Sequence, residues 1–196
     1  MKLHPQLPVI IILLVISIFL SQDMLSQINQ DVLVLTNGDT LHGEILRWEQ
    51  SGMLSKKKVE IRLDDGSRWD YFIRNVKYFT HDKALYKPLP KRPWQKQESL
   101  VFCRLLMNNE QAEIYKYDDL VTSDYGPVYD WKYYLYLDGK FTEEVTNKNY
   151  REILETHFGD CPFTKTLLED DKNHFRDDRF TELAEDWMLE CGKNQR

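Results

Sequence analysis

Apolar and polar residues alternate along most of this 196-residue chain, and the alternation fails in two places. A period of two puts successive side chains on opposite faces of an extended strand, so it predicts half-buried β-structure. The alternation begins at Asp31–Thr36, stops at Asn37-Gly38 and resumes over Thr40–Trp48, which reads as a hairpin whose two central residues take positive φ. In its second strand Leu41, Gly43, Ile45 and Arg47 share one face, and His42, Glu44, Leu46 and Trp48 share the other. A glycine inside a strand predicts a bend or bulge, as where a sheet closes on itself. Lys57–Leu63 alternates strictly, with Val59, Ile61 and Leu63 inward. Asp64-Asp65-Gly66 then turns the chain into Ser67–Ile73, and Asn75–Phe79 adds a fifth strand. Short strands at this spacing predict a small antiparallel β-barrel-like module over residues 30–87.

Three prolines (Pro88, Pro90 and Pro93) follow closely, and proline fixes φ and removes a donor. Residues 88–98 therefore read as an extended connector and a domain boundary. Beyond it, Ser99–Met107 and Ala112–Tyr117 read as a hairpin, and Gly126-Pro127 breaks the loop that follows. Asp130–Leu137 and Lys140–Val145 form a second hairpin about Asp138-Gly139.

The alternation then gives way to helical spacing. Tyr150, Ile153, Leu154, His157 and Phe158 lie on one stripe of Lys148–Phe158, with Asn147 or Asn149 as its cap and Gly159 ending it. Asp160-Cys161-Pro162 opens a second helix with Phe163, Thr166 and Leu167 inward. Arg179–Glu190 forms a third, with Phe180, Leu183, Trp187 and Leu189 or Cys191 as its apolar stripe. Residues 99–196 thus predict an α+β part with C-terminal helices, and the chain as a whole an α+β fold.

The other interruption is the apolar run Val9–Leu20, in which Ser17 is the one polar residue, behind Met1-Lys2 and ahead of Ser21-Gln22-Asp23. A short basic head and an apolar core of this length form the export-signal pattern. At 1.5 Å per residue twelve residues reach about 18 Å, short of a hydrocarbon core of about 30 Å. Residues 1–26 are therefore expected to be a signal peptide cleaved after Ser21 or Ser26. Phe19 and Met24 sit at the third position back, where a small residue is preferred, so an uncleaved anchor through residues 9–20 is the alternative. Either way the chain is expected to be exported: periplasmic, in the cell envelope or secreted. That compartment gives the cysteines an oxidising setting, and a Cys161–Cys191 disulfide is expected, with Cys103 a buried free thiol.

Charge adds one exclusion. Lys and Arg outnumber Asp and Glu by 13 to 10 in residues 31–98, and the balance reverses to 6 against 11 in 99–158 and 6 against 10 in 159–196. No segment has the basic excess of a nucleic-acid surface, so no nucleic-acid partner is expected.

The Val32–Leu46 stretch, strand, Asn-Gly, then strand with an inner glycine, resembles the opening hairpin of small SH3-like and Sm-like barrels. That resemblance implies a barrel fold and, for Sm-like proteins, RNA binding. Lys56-Lys57-Lys58 reads instead as a solvated strand end. The hairpin Trp131–Val145, the helix after it, Asp160-Cys161-Pro162 and the late Cys191 resemble a group of uncharacterised exported bacterial proteins. This implies an architecture and a compartment and carries no activity.

Catalytic signatures are absent: no nucleophile elbow, zinc-helix motif, phosphate loop or dinucleotide fingerprint occurs. The sequence therefore predicts no catalytic residue, cofactor or metal site. A zinc set from His157, Cys161, His174 and Cys191 has no established spacing. The carboxylates of Asp170-Asp171 through Asp177-Asp178 lack the glycine and alternate ligands of a calcium loop. Tyr115, Tyr117, Tyr125, Tyr129, Tyr133, Tyr134, Tyr136 and Trp131 read as core filling ahead of a stacking platform. The expectation is a non-enzymatic binding or envelope-associated module with a protein or glycan partner. An envelope or glycan hydrolase is the alternative, to be favoured by His42, His81 or His157 sharing a cleft with carboxylates. An Sm-like RNA binder is the third reading.

Overall fold

The computed structural model describes residues 30–48, 57–91, 99–123, 126–169 and 179–192, and for 119–130 the backbone alone. The expected export segment with its apolar run 9–20, Lys56, residues 92–98 of the expected connector, and the carboxylate-rich stretch with His174 lie outside the described residues. The strands are β1 (Asp31–Leu35), β2 (Thr40–Trp48), β3 (Lys58–Leu63), β4 (Arg68–Phe72), β5 (Val76–His81), β6 (Ala84–Pro90), β7 (Leu100–Asn108), β8 (Ala112–Ser123), β9 (Gly126–Leu137) and β10 (Lys140–Val145). The helices are α1 (Tyr150–Phe158), α2 (Pro162–Glu169) and α3 (Arg179–Glu190). All ten strands form one antiparallel sheet in the order β10-β9-β8-β7-β6-β5-β1-β2-β3-β4, and the fold is α+β.

The sheet curls without closing, which corrects the expected barrel. A 3-10 turn at Ile73–Asn75 carries the chain out of β4, and β5 then pairs with β1 and β6 instead of β4. What draws the curl together is a core on its inner face, with Leu33, Ile45, Val59, Ile61, Phe79 and Phe102 almost wholly buried. Lys57 Nζ reaches across to the carbonyl of Leu100 at 2.7 Å. Gly43 is what lets β2 meet β3 so closely: a Cβ there would lie 2.2 Å from the carbonyl oxygen of Arg62. A register shift between Ile45 and Arg47 moves Trp48 onto the inner face, opposite to strict alternation, where it packs on Phe79 and Tyr86.

The turns divide into two kinds. Asp138 and Gly139 both have positive φ, as a two-residue hairpin requires. At Asn37-Gly38 only Gly38 does, and Leu35 N–H bonds the Asp39 carbonyl across a longer loop.

Residues 88–90 of the expected connector are strand, the end of β6. Lys91 N–H donates to the Ser99 carbonyl, so Leu89 and Lys87 share its β7-facing alternation and Pro88 and Pro90 turn their nitrogens the other way. On that flank β5 pairs only as far as Tyr86, so neither proline is asked for a donor. The β8–β9 hairpin runs to Ser123↔Gly126, with Pro127 at the start of the return strand.

The helices cover the second half of the same inner face. Met107, Ile114, Tyr133 and Leu135 from the sheet meet Ile153, Leu154, Phe158, Phe180, Leu183 and Trp187. Asn149 precedes α1, but its side chain bonds Thr146 and the Glu144 carbonyl instead of capping the helix. In α2 Thr164 and Leu168 are buried, and Phe163 and Leu167 pack half-buried against the same core as expected; of the expected stripe only Thr166 is exposed, so the helix is turned slightly from it. In α3 Leu189 is exposed and Cys191, just beyond it, is buried. The opposite face of this half holds Val101, Cys103, Tyr115, Tyr117, Tyr134 and Tyr136 in a core of their own.

Candidate functional site

The β7–β8 turn and the ends of all three helices leave a cleft of about 520 Å³, in the size range of ligand sites. Asn109 shapes its sheet side. The Asn109 Oδ1 accepts the N–H groups of Gln111 and Ala112, and its Nδ2 donates to the carbonyl of His157 at 2.5 Å. The turn is thereby tied to the end of α1. The helical side is held by a buried relay: Trp187 Nε1 donates to Thr164 Oγ1 (2.9 Å), which donates to the Phe158 carbonyl (2.6 Å). One hydroxyl thus satisfies a donor on α3 and an acceptor on α1 from its place on α2.

Cys161, just before α2, is bonded to Cys191, just after α3, with Cα atoms 6.0 Å apart. Both line the cleft. The expected disulfide is present. It closes a 30-residue separation, worth about 3–4 kcal/mol in the chain-entropy model. Its sulfurs are joined to each other, which removes both from the zinc set weighed above. Around the bridge stand His157, Glu110, Asp160 and Glu190, so the lining is acidic.

The other sequence candidates separate. His42 is exposed on β2. His81 ends β5 with its Nδ1 2.9 Å from Asp31 Oδ2 and its Nε2 3.3 Å from Asp82 Oδ2, under the edge of Trp48. Asp31 Oδ2 also accepts the Ile45 N–H. Both ring nitrogens face carboxylates, so this cluster clasps β1, β2 and the β5–β6 turn. Cys103 is buried and free, and burial pushes its thiol well above the ordinary range, which leaves it unreactive. Tyr115, Tyr117, Tyr133, Tyr134 and Tyr136 are all buried, so these rings fill cores and form no exposed platform. Trp131 is partly buried with the Lys116 ammonium over its ring, while Tyr125 lies outside the described residues and only the backbone of Tyr129 is described.

Two features had no sequence signal. Arg104 and Lys116 lie directly opposite each other on β7 and β8, between the curled core and the helical core. Arg104 Nη2 bonds Glu185 of α3 at 2.5 Å, and the buried Lys116 pairs with Asp118 at 3.3 Å. This polar seam docks α3 on the sheet. On the outer face of the curl, Arg47, Lys58, Arg62 and Arg68 stand beside Glu60, Asp70, Glu44 and Glu60 respectively, an acid–base ladder in place of a basic surface.

Among the described residues no group of three or more His, Cys, Asp and Glu side chains is arranged to hold a metal ion, and no helix is long and apolar enough to cross a membrane. Neither a protein-family model, nor a curated protein, nor a solved structure matches the chain.

Proposed function

We propose that the chain is an exported, non-enzymatic envelope module that binds a protein or glycan partner at the disulfide-walled cleft. The observation that carries this reading is the Cys161–Cys191 bridge in the wall of a ligand-sized cavity. A structural bridge persists where the surroundings are oxidising, and the run Val9–Leu20 fits the segment that would deliver the chain there. Release follows cleavage after Ser21 or Ser26, and tethering follows retention of residues 9–20. The carboxylates of Glu110, Asp160 and Glu190 favour a partner presenting donors, such as sugar hydroxyls or peptide amines. Soluble envelope fragments titrated against the purified chain, followed by calorimetry, test this. Binding that falls at least about tenfold (~1.4 kcal/mol) in Glu110→Gln/Asp160→Asn/Glu190→Gln supports it. No binding, or binding indifferent to the triple variant, overturns it.

A hydrolase is favoured by one observation: His157 shares this cleft with the same three carboxylates. Turnover of envelope glycan that disappears in His157→Gln would establish that reading in place of binding alone.

A further inference from the structure

The two outer strands of the sheet are finished differently. At β10 the register shifts between Phe141 and Glu143, acidic side chains follow, and the Glu144 carbonyl already accepts from Asn149. These are the devices that blunt an edge against pairing. β4 has neither bulge nor proline: Arg68–Phe72 pairs with β3 in unbroken register, and its two edge charges, Arg68 and Asp70, are of opposite sign. Bonds at Leu63/Ser67 and Ile73/Lys57 fix which groups face β3, so the N–H and C=O of Arg68 and Asp70 point outward. Among the described residues no strand lies beyond them. Between these two residues Trp69 stands on the inner face, 54% exposed and the largest exposed side chain among the described residues.

We propose that β4 is a self-association edge, pairing antiparallel with β4 of a second copy about a two-fold axis at Trp69. The charges select this register. With Trp69 opposite Trp69 of the second copy, Arg68 falls opposite Asp70 of that copy, and Asp70 opposite its Arg68. Two ion pairs form on the outer face, extending the acid–base ladder that already runs through Glu60–Arg68 and Lys58–Asp70. The Arg68 and Asp70 pairs exchange four backbone hydrogen bonds. The Trp69 pair is the closely spaced, non-bonded kind, about 4.5 Å between Cα atoms, so the two indoles meet. A register centred on Asp70 would instead oppose like carboxylates. Pairing joins two open sheets into one through an isologous contact, which is closed and limits the assembly to a dimer.

Sedimentation over a concentration series is expected to show a monomer–dimer equilibrium. Trp69→Cys under mild oxidation is expected to give a covalent dimer. Phe72→Cys is expected to give none, because its two copies would stand about 20 Å apart along the strands. Arg68→Asp should abolish the dimer and Arg68→Asp/Asp70→Arg restore it. Asp70→Pro should abolish it with unchanged far-UV circular dichroism, since that N–H takes no part in the β3 ladder. A chain that stays monomeric at all concentrations, a Phe72→Cys crosslink as strong as that of Trp69→Cys, or a charge swap without rescue overturns the proposal. An edge that captures only an unrelated extended peptide also overturns it.

Discussion

Thr164 holds the helical layer with a single hydroxyl. Replacing it with the isosteric Thr164→Val keeps the volume but strands the Trp187 N–H in an apolar core and leaves the Phe158 carbonyl only its long bond from the Cys161 N–H, at 3.4 Å. The expected loss is about 1–3 kcal/mol, read from the denaturant midpoint. Lys83 presents the opposite case. With Asp82 it forms the β5–β6 turn at positive φ (49° and 66°), a conformation that costs an L side chain about 1–2 kcal/mol. Lys83→Gly should therefore raise the thermal midpoint, by about 0.5–1 kcal/mol in stability after the added freedom of the unfolded chain is counted. Titration is also decided at single residues. Burial pushes the Cys103 thiol and the Tyr86 and Tyr115 phenols above their ordinary 9.0 and 10.0, with Glu113 raising Tyr115 further. The folded chain keeps these protons where the unfolded chain releases them. Their contribution is complete below about pH 9 and is lost as pH rises. Denaturant midpoints should hold from about pH 7 to 8 and fall steadily above about pH 9; a flat profile to about pH 11 would contradict the burial of these groups.

Most elements were legible because each carries its own period and its own stop. The hairpin at Asp138-Gly139, the strands β1 to β3 and the helices α1 and α3 all follow the pattern of their residues. The exceptions have physical causes. The strand β6 was hidden because Pro88 and Pro90 read as breakers, and only the pairing shows that their missing donors face the flank where β5 has stopped pairing. Trp48 changed face because one extra residue in β2 is invisible to alternation. The cleft was half legible. Cys161, Cys191 and His157 stood out by type, whereas Glu110 and Glu190 join them only through the tertiary fold. Gly43 was legible as a place of curvature, and its role is testable at this scale. Gly43→Ala sets a methyl against the Arg62 carbonyl and should destabilise the curl by about 3 kcal/mol, seen as an early thermal transition.

At the scale of the whole molecule, one face of a single sheet carries two cores, one enclosed by curling and one covered by helices. The Arg104–Glu185 pair and Lys116 mark the seam between them. The acidic C-terminal part seen in the charge tally is where the cleft forms, so charge asymmetry and site coincide. We propose that this molecule works outside the cytoplasm with its helices locked around that cleft. Non-reducing peptide mapping of protein taken from its native host tests it most directly. The expected result is one joined pair of peptides carrying Cys161 and Cys191, Cys103 alkylated only after denaturation, and the protein in the envelope or exported fraction, with residues 1–21 or 1–26 missing if it is released. Cytoplasmic, full-length protein with Cys161 and Cys191 both open to alkylation would contradict it.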